Sequence, residues 1–255
     1  VGFITWSLRK SPSLLTDVLE HAPAAVMLSF GDPRPFADEI RAAGALLICQ
    51  CQDMAHVMDA VDVGADVVVA QCAEAGGHGA LRGTLSFVPE AADYLAQHSP
   101  DMLLLAAGGI GDGRGLAAAL MLGADGVLVG TRLWASTEAL VKAAHHRAIM
   151  ETDGDGTLRT RVADIARQLP WPRGFTARIR RNASTDTWHR RAAPPAAAPA
   201  VRGARPRPAP AAGRPDTRTL CPATAPPVPP ATHPAAPVSR PRGAPGPRAR
   251  ARRPP

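Results

Sequence analysis

"LLLAAGGIGDGRGLAAALMLGADGVLVGT", Leu103 to Thr131, holds one complete structural repeat. An apolar run stops at Gly108-Gly109. Asp112 stands where a helix needs an N-terminal cap, and "GLAAALMLG" carries a helical pattern to Gly123, where a glycine suits the C-terminal cap. A second apolar run then ends at Gly130-Thr131. Both apolar runs are continuous rather than alternating, which suits strands covered on both faces, as in a parallel sheet.

The same texture repeats through the first 150 residues. Apolar runs at Gly2–Trp6, Ala25–Phe30, Ala45–Gln50, Asp66–Gln71, Met102–Ala106 and Gly126–Val129 predict six strands. Helical patterns lie between them. Ser11-Pro12 reads as a cap followed by Pro at the first helical position of "SLLTDVLEHA". "PFADEIRAAG" ends at Gly44, "MAHVMDAVDVG" at Gly64, and "VPEAADYLAQH" precedes the fifth strand. A longer helix, "STEALVKAAHHRAIM", is predicted after the sixth. This βαβα order is satisfied by a doubly wound sheet or by a TIM-type (β/α)8 barrel. Glycines clustered directly after strands favour the barrel, which builds its active face there. Six βα units are visible, so the expected fold is an incomplete (β/α)8-type barrel.

Charge divides the chain. Residues 1–182 carry 16 Lys+Arg and 20 Asp+Glu, whereas 183–255 carry 13 Arg and 2 Asp; the net +7 belongs to the tail. Of 27 prolines, 19 lie after residue 182. The expected organisation is a barrel domain over 1–190 and a disordered basic tail over 191–255, whose Pro/Ala/Arg text cannot bury enough surface to offset chain entropy. From Arg190 on there is no aromatic residue to stack a base, so a specific nucleic-acid role is not expected. Cys49, Cys51, Cys72 and Cys221 match neither a zinc nor a disulfide pattern; Cys49 and Cys51, two apart in an apolar run, read as buried small hydrophobes of a reducing compartment. No apolar stretch approaches the roughly 18 residues of a membrane span. "VGFITWSLRK" lacks the basic start of a signal peptide and reads as a strand; the expected location is cytoplasmic.

The chemistry is expected in two glycine-rich regions. The strand ends Gly108-Gly109 and Gly130-Thr131 offer bare N–H groups beside a helix N-terminus, an anion site suited to phosphate. No dinucleotide fingerprint is present, because the last position counted from Gly109 and Gly111 is Arg114. In "DVVVAQCAEAGGHGALRGT", Asp66 to Thr84, an apolar strand ends at Gln71. Gly76 and Gly77 then free the backbone for close approach and place His78, a side chain suited to proton transfer.

"AQCAEAGGHGALRG", "AAGGIGDGRGLAAALMLGADGVLVGTRL" and "LSFGDPRPF" resemble the nitronate monooxygenases, or 2-nitropropane dioxygenases, over about residues 1–189. The resemblance implies an FMN-dependent TIM barrel that oxidises alkyl nitronates or nitroalkanes with dioxygen to carbonyl compounds and nitrite. It implies flavin contacts from Gln71, Gly76 and Gly77. Phosphate contacts would come from Gly108 and Gly109 and from Leu128, Val129, Gly130 and Thr131, and His78 would be the catalytic base or the residue that orients the nitronate. No metal is implied. Two βα units that open the family's barrel have no counterpart here, and Gly2 stands where many members have a flavin-contacting Asn. Beyond Arg190 the family's last helix gives way to Arg/Pro/Ala text, of the kind an out-of-frame reading of a G+C-rich gene produces. Two alternatives stand beside this reading: an enoyl-thioester reductase of the same superfamily, and a non-catalytic remnant. Among weaker motifs, "DGDGT" at 153–157 lacks the glycine of a calcium loop, His145-His146 reads as solvated surface, Trp171 as packing, and Glu74 as either a site or a loop residue.

Overall fold

In the computed structural model, residues 1–192 are described; the remainder of the tail predicted as disordered lies outside them. Nine strands and ten helices are formed among the described residues. Six strands make one parallel sheet: β1 (Gly2–Ile4), β2 (Ala25–Ser29), β3 (Leu46–Cys51), β4 (Val67–Gln71), β6 (Leu103–Ala107) and β7 (Gly126–Leu128), paired in that order. Between them run α1 (Thr5–Leu8), α2 (Ser13–Leu19), α3 (Arg34–Ala42), α4 (Met54–Asp62), α5 (Thr84–His98) and α6 (Gly113–Met121). The sheet does not close. It is an arc of a TIM-type barrel with β1 and β7 as its two edges. Three further strands form a separate antiparallel ribbon, β5 (Gly77–Gly79) against β9 (Thr176–Arg180), and β9 against β8 (Thr157–Thr160).

Side chains alternate across the arc. Val26, Leu28, Leu47, Cys49, Cys51, Val68, Ala70, Leu104 and Ala106 join Ile40, Val57, Phe87 and Leu95 of the helices in one core. The opposite, concave face carries Met27, Ser29, Gln50 and Gln71. In a closed barrel that face is sealed by the far strands. Here Ile4, Leu46 and Leu103 remain 41–50% exposed.

One junction repeats where a helix returns to the sheet. Gly44, Gly64 and Gly123 take φ of +75°, +63° and +94°, the left-handed region that favours glycine. Each donates to the second-last helical carbonyl (Arg41, Val61, Leu120), and the following alanine donates to the one before it (Ile40, Ala60, Ala119). This pair of bonds satisfies carbonyls that a helix end leaves open. After Gly64-Ala65 and Gly123-Ala124 comes an aspartate. Asp66 accepts from Leu47 N–H at 2.7 Å and Asp125 from Leu104 N–H at 2.8 Å, which sets the register of the neighbouring strand.

Several boundaries differ from the sequence reading. The predicted strand Gly2–Trp6 stops at Ile4, because Thr5 turns into α1, where it is fully buried. α5 begins at Thr84 rather than Val88, so Pro89 stands inside it, in its second turn, where its missing N–H removes one intrahelical hydrogen bond. Of the long helix predicted over 136–150, only the second half forms, as α8 (Ala143–Met150); a turn at Ser136–Ala139 and extended Lys142 replace the first half, and a short α7 (Thr131–Trp134) precedes it. His146 is not solvated surface. It donates from Nε2 to Ala135 O at 3.0 Å and ties α8 back to α7. The ribbon strands were not anticipated.

Cys49, Cys51 and Cys72 are free and buried. Burial pushes the Cys49 thiol up to about 12 and Cys72 to about 11, and raises Cys51 as well. A raised thiol is protonated at pH 8, and the thiolate is the nucleophile. All three should therefore resist a thiol reagent at pH 8 in the folded chain and react once it is unfolded, as read residue by residue in peptide masses. Asp66→Ala leaves Leu47 N–H without its acceptor and should cost about 1–3 kcal/mol in denaturant unfolding, with Asp66→Asn milder.

Candidate active site

The C-terminal ends of the parallel strands open onto a cavity of about 360 Å³ on the concave face. Its walls include Gly2, Met27, Ser29, Gln50, Gln71, Gly76, His78 and Trp171. This is the size of a small-molecule site.

Gln71 ends β4, and both ends of its amide are engaged. Nε2 donates to His78 O at 2.9 Å, and Oε1 accepts from Gln52 Nε2 at 3.2 Å. The loop between Gln71 and β5 is thus held to its own strand. It is held from the other side by arginines of the ribbon. Arg159 donates to the carbonyls of Ala73 and Ala75, both at 2.9 Å, and Arg178 to Ala73 at 3.2 Å. Burial and the neighbouring Arg178 draw Arg159 below its usual value, though a guanidinium remains charged under such a shift.

Glycine permits the contacts between loops. Thr131 Oγ1 lies where a Cβ on Gly76 would stand. A Cβ on Gly108, at φ +112°, would meet Ala75 N at 2.8 Å, and one on Gly109, at φ +71°, would meet Glu74 Cβ at 2.8 Å. The glycines after β6 therefore let two strand-end loops touch. They also leave backbone donors free. The N–H groups of Gly109, Ile110 and Gly111 after β6, and of Val129 and Gly130 after β7, donate to no group among the described residues. Asp112 caps α6 through Arg114 and Gly115 N–H, as the sequence predicts. Leu128 and Val129 are half-buried, and Gly77 lies in open space at φ +71°.

His78 sits at the centre of β5, opposite Ala177 of β9. Its ring stacks on Trp171 with centroids 3.5 Å apart and planes at 9°. Its Nε2 lies 3.0 and 3.1 Å from the two carboxylate oxygens of Asp164. Trp171 is in turn held edge-on by Trp6 at 5.4 Å and Phe30 at 5.2 Å. Trp171 does pack, as the sequence reading had it, but its packing partner is the candidate catalytic imidazole.

The structure brings the predicted glycines, Gln71 and His78 together at one end of the arc. Sequence reasoning missed Asp164, Arg159 and Arg178. The alternating "TLRT" and "TARIR" were a strand signal, but nothing local ties Asp164 to a histidine 86 positions earlier. Glu74 resolves as a loop residue: its Oε1 accepts from Thr84 N–H at 3.2 Å, at the start of α5. Asp153 accepts from Gly156 N–H at 2.8 Å and closes a tight turn. No described helix is long and apolar enough to cross a membrane.

The chain is 34% identical over 196 residues to a nitronate monooxygenase of Neurospora crassa, covering 68% of this chain and 52% of that protein. It is 39% identical over 203 residues to one of Metarhizium robertsii, covering 72% and 55%. It thus spans about half the length of the curated relatives it matches. Among solved structures, FabK from Thermotoga maritima superposes with a TM-score of 0.62 at 28% identity, over 75% of this chain and 55% of that one. A nitroalkane oxidase from Streptomyces ansochromogenes gives 0.60 at 28%, over 71% and 52%. The family model described as nitronate monooxygenase matches residues 11–203, and the chain belongs to that family.

Proposed function

We propose that this chain is the flavin- and substrate-binding part of an oxidoreductase that converts alkyl nitronates and dioxygen to carbonyl compounds and nitrite, with FMN as the flavin. One observation carries the reading. The concave cavity has His78 in its wall and lies at the same strand ends as the two stretches of unpaired, glycine-rich backbone. Unpaired N–H groups after β6 and β7, near the N-terminus of α6, suit a phosphate. The residues present therefore fit a flavin mononucleotide. Gly108, Gly109 and the stretch Leu128–Thr131 would hold its phosphate, and Gln71, Gly76 and Gly77 would flank its ring. When bound, the flavin supplies the redox chemistry, taking electrons from the substrate and passing them to dioxygen.

His78 does the proton work. A neutral nitroalkane must lose a proton from carbon before it becomes a nitronate, and an imidazole is suited to take it near neutral pH. The cavity orients the substrate beside that imidazole, while Trp171 and Met27 give it apolar walls. The domain division at residue 190 belongs to this proposal, as does a cytoplasmic setting.

A second reading, reduction of an enoyl thioester, is favoured by the similarity to FabK and by a relative in Mycobacterium tuberculosis named as an indene-carboxyl-CoA dehydrogenase, 33% identical over 167 residues. Nitrite release from a preformed nitronate, compared with NADH consumption on an enoyl thioester, separates the two. Denaturing the loaded protein should release FMN; recovery of FAD would refute the single-phosphate site. His78→Ala should lower turnover of neutral nitroalkanes about 10²–10⁴-fold, the usual loss with a general base. Preformed nitronate should suffer less, and an equal loss on both would make His78 a binding residue instead.

A further inference from the structure

The geometry points to Asp164 as the positioning residue that selects which nitrogen of His78 takes the substrate's proton, an inference resting on the assignment of His78 as the base. Two contacts define the ring. The stack on Trp171 fixes its plane. Stacking alone permits a half-turn within that plane, which exchanges the nitrogens for carbons. The Asp164 carboxylate removes that freedom, because both of its oxygens lie within 3.1 Å of Nε2. A carboxylate accepts, so Nε2 must carry the proton and donate. Nδ1 is then left with its lone pair, and it has no partner among the described residues.

Asp164 has no other visible purpose. Its side chain is 4% exposed, against 22% for His78, and its one ion-pair partner among the described residues is that imidazole. It stands in α9 (Val162–Ala166), a helix too short to need a buried carboxylate for its own stability. A buried carboxylate with a single partner is costly, which argues for a role at that partner. When Nδ1 takes the proton from the substrate carbon, the C–H electron pair stays on the substrate as the nitronate and the ring becomes an imidazolium. Asp164 then faces a positive charge, which it stabilises. Asp164 touches neither substrate nor flavin in this account.

The test uses the full 255-residue chain. Long-range ¹H–¹⁵N spectra of the histidine rings should show His78 with a proton on Nε2 that is protected from solvent exchange. In Asp164→Ala that protection should vanish. In Asp164→Asn the amide can donate to Nε2 and drive the ring proton onto Nδ1. Turnover of neutral nitroalkanes should then fall about 10²–10⁴-fold while preformed nitronate loses under about tenfold, and Asp164→Glu should restore much of the loss. A native His78 protonated on Nδ1 overturns the inference even if every variant misfolds. So does a protected Nε2 proton that survives in Asp164→Ala, or equal losses on both substrates in Asp164→Asn. A native chain with the protected Nε2 proton that releases no nitrite supports the Asp164 assignment and counts against nitronate oxidation, so the two failures are distinct.

Discussion

Three carbonyl oxygens, those of Ala73, Ala75 and Thr176, converge on the single guanidinium of Arg159 at 2.6–2.9 Å. That side chain joins two otherwise separate structures: the loop leaving β4 of the parallel arc, and the antiparallel ribbon. A planar fork with five donors can hold several carbonyls at once, whereas a lysine ammonium could not match the geometry. With the loop fixed, Gly77–Gly79 can pair with β9. With β9 in place, Trp171 lies against the face of the His78 ring and Asp164 at its Nε2 edge. The candidate site therefore depends on a contact that involves neither the cavity nor the histidine directly.

The arc and the ribbon divide the work. The parallel strands supply rigid ends, held in register by Asp66 and Asp125, and their concave face supplies cavity walls. The ribbon supplies orientation. Gln71 belongs to both: it terminates a fully buried strand, yet its amide holds the backbone carbonyl of His78. A polar side chain at the end of such a strand gains hydrogen bonds that an apolar one would lack, and without them the carbonyl would be left open.

Glycine serves two ends at the same positions. Gly108 and Gly109 adopt positive φ and let the loop after β6 lie against the loop after β4. In the same loop, and after β7, N–H groups have no acceptor among the described residues. The absence of Cβ atoms permits this close packing and is compatible with the phosphate site proposed above.

The sequence by itself determined the parallel arc. Continuous apolar runs, Gly-Ala junctions after helices and an Asp cap before α6 are local signals, and each acts within a few residues of where it is read. The six parallel strands, their order of appearance, the C-cap glycines and the pairing of glycine-rich strand ends were legible for that reason. So was His78, because Gly-Gly-His directly follows a strand. Only the tertiary structure decided the environment of that histidine. Nothing local marks Asp164, and Trp171 reads as a packing residue between prolines. Nothing in the local sequence singles out Arg159 or Arg178. Their roles arise from pairings across 86 to 105 positions, which hydrophobic periodicity does not encode. The same holds for the open sheet: local patterns specify strands one at a time, while closure is a property of the number and tilt of all of them together.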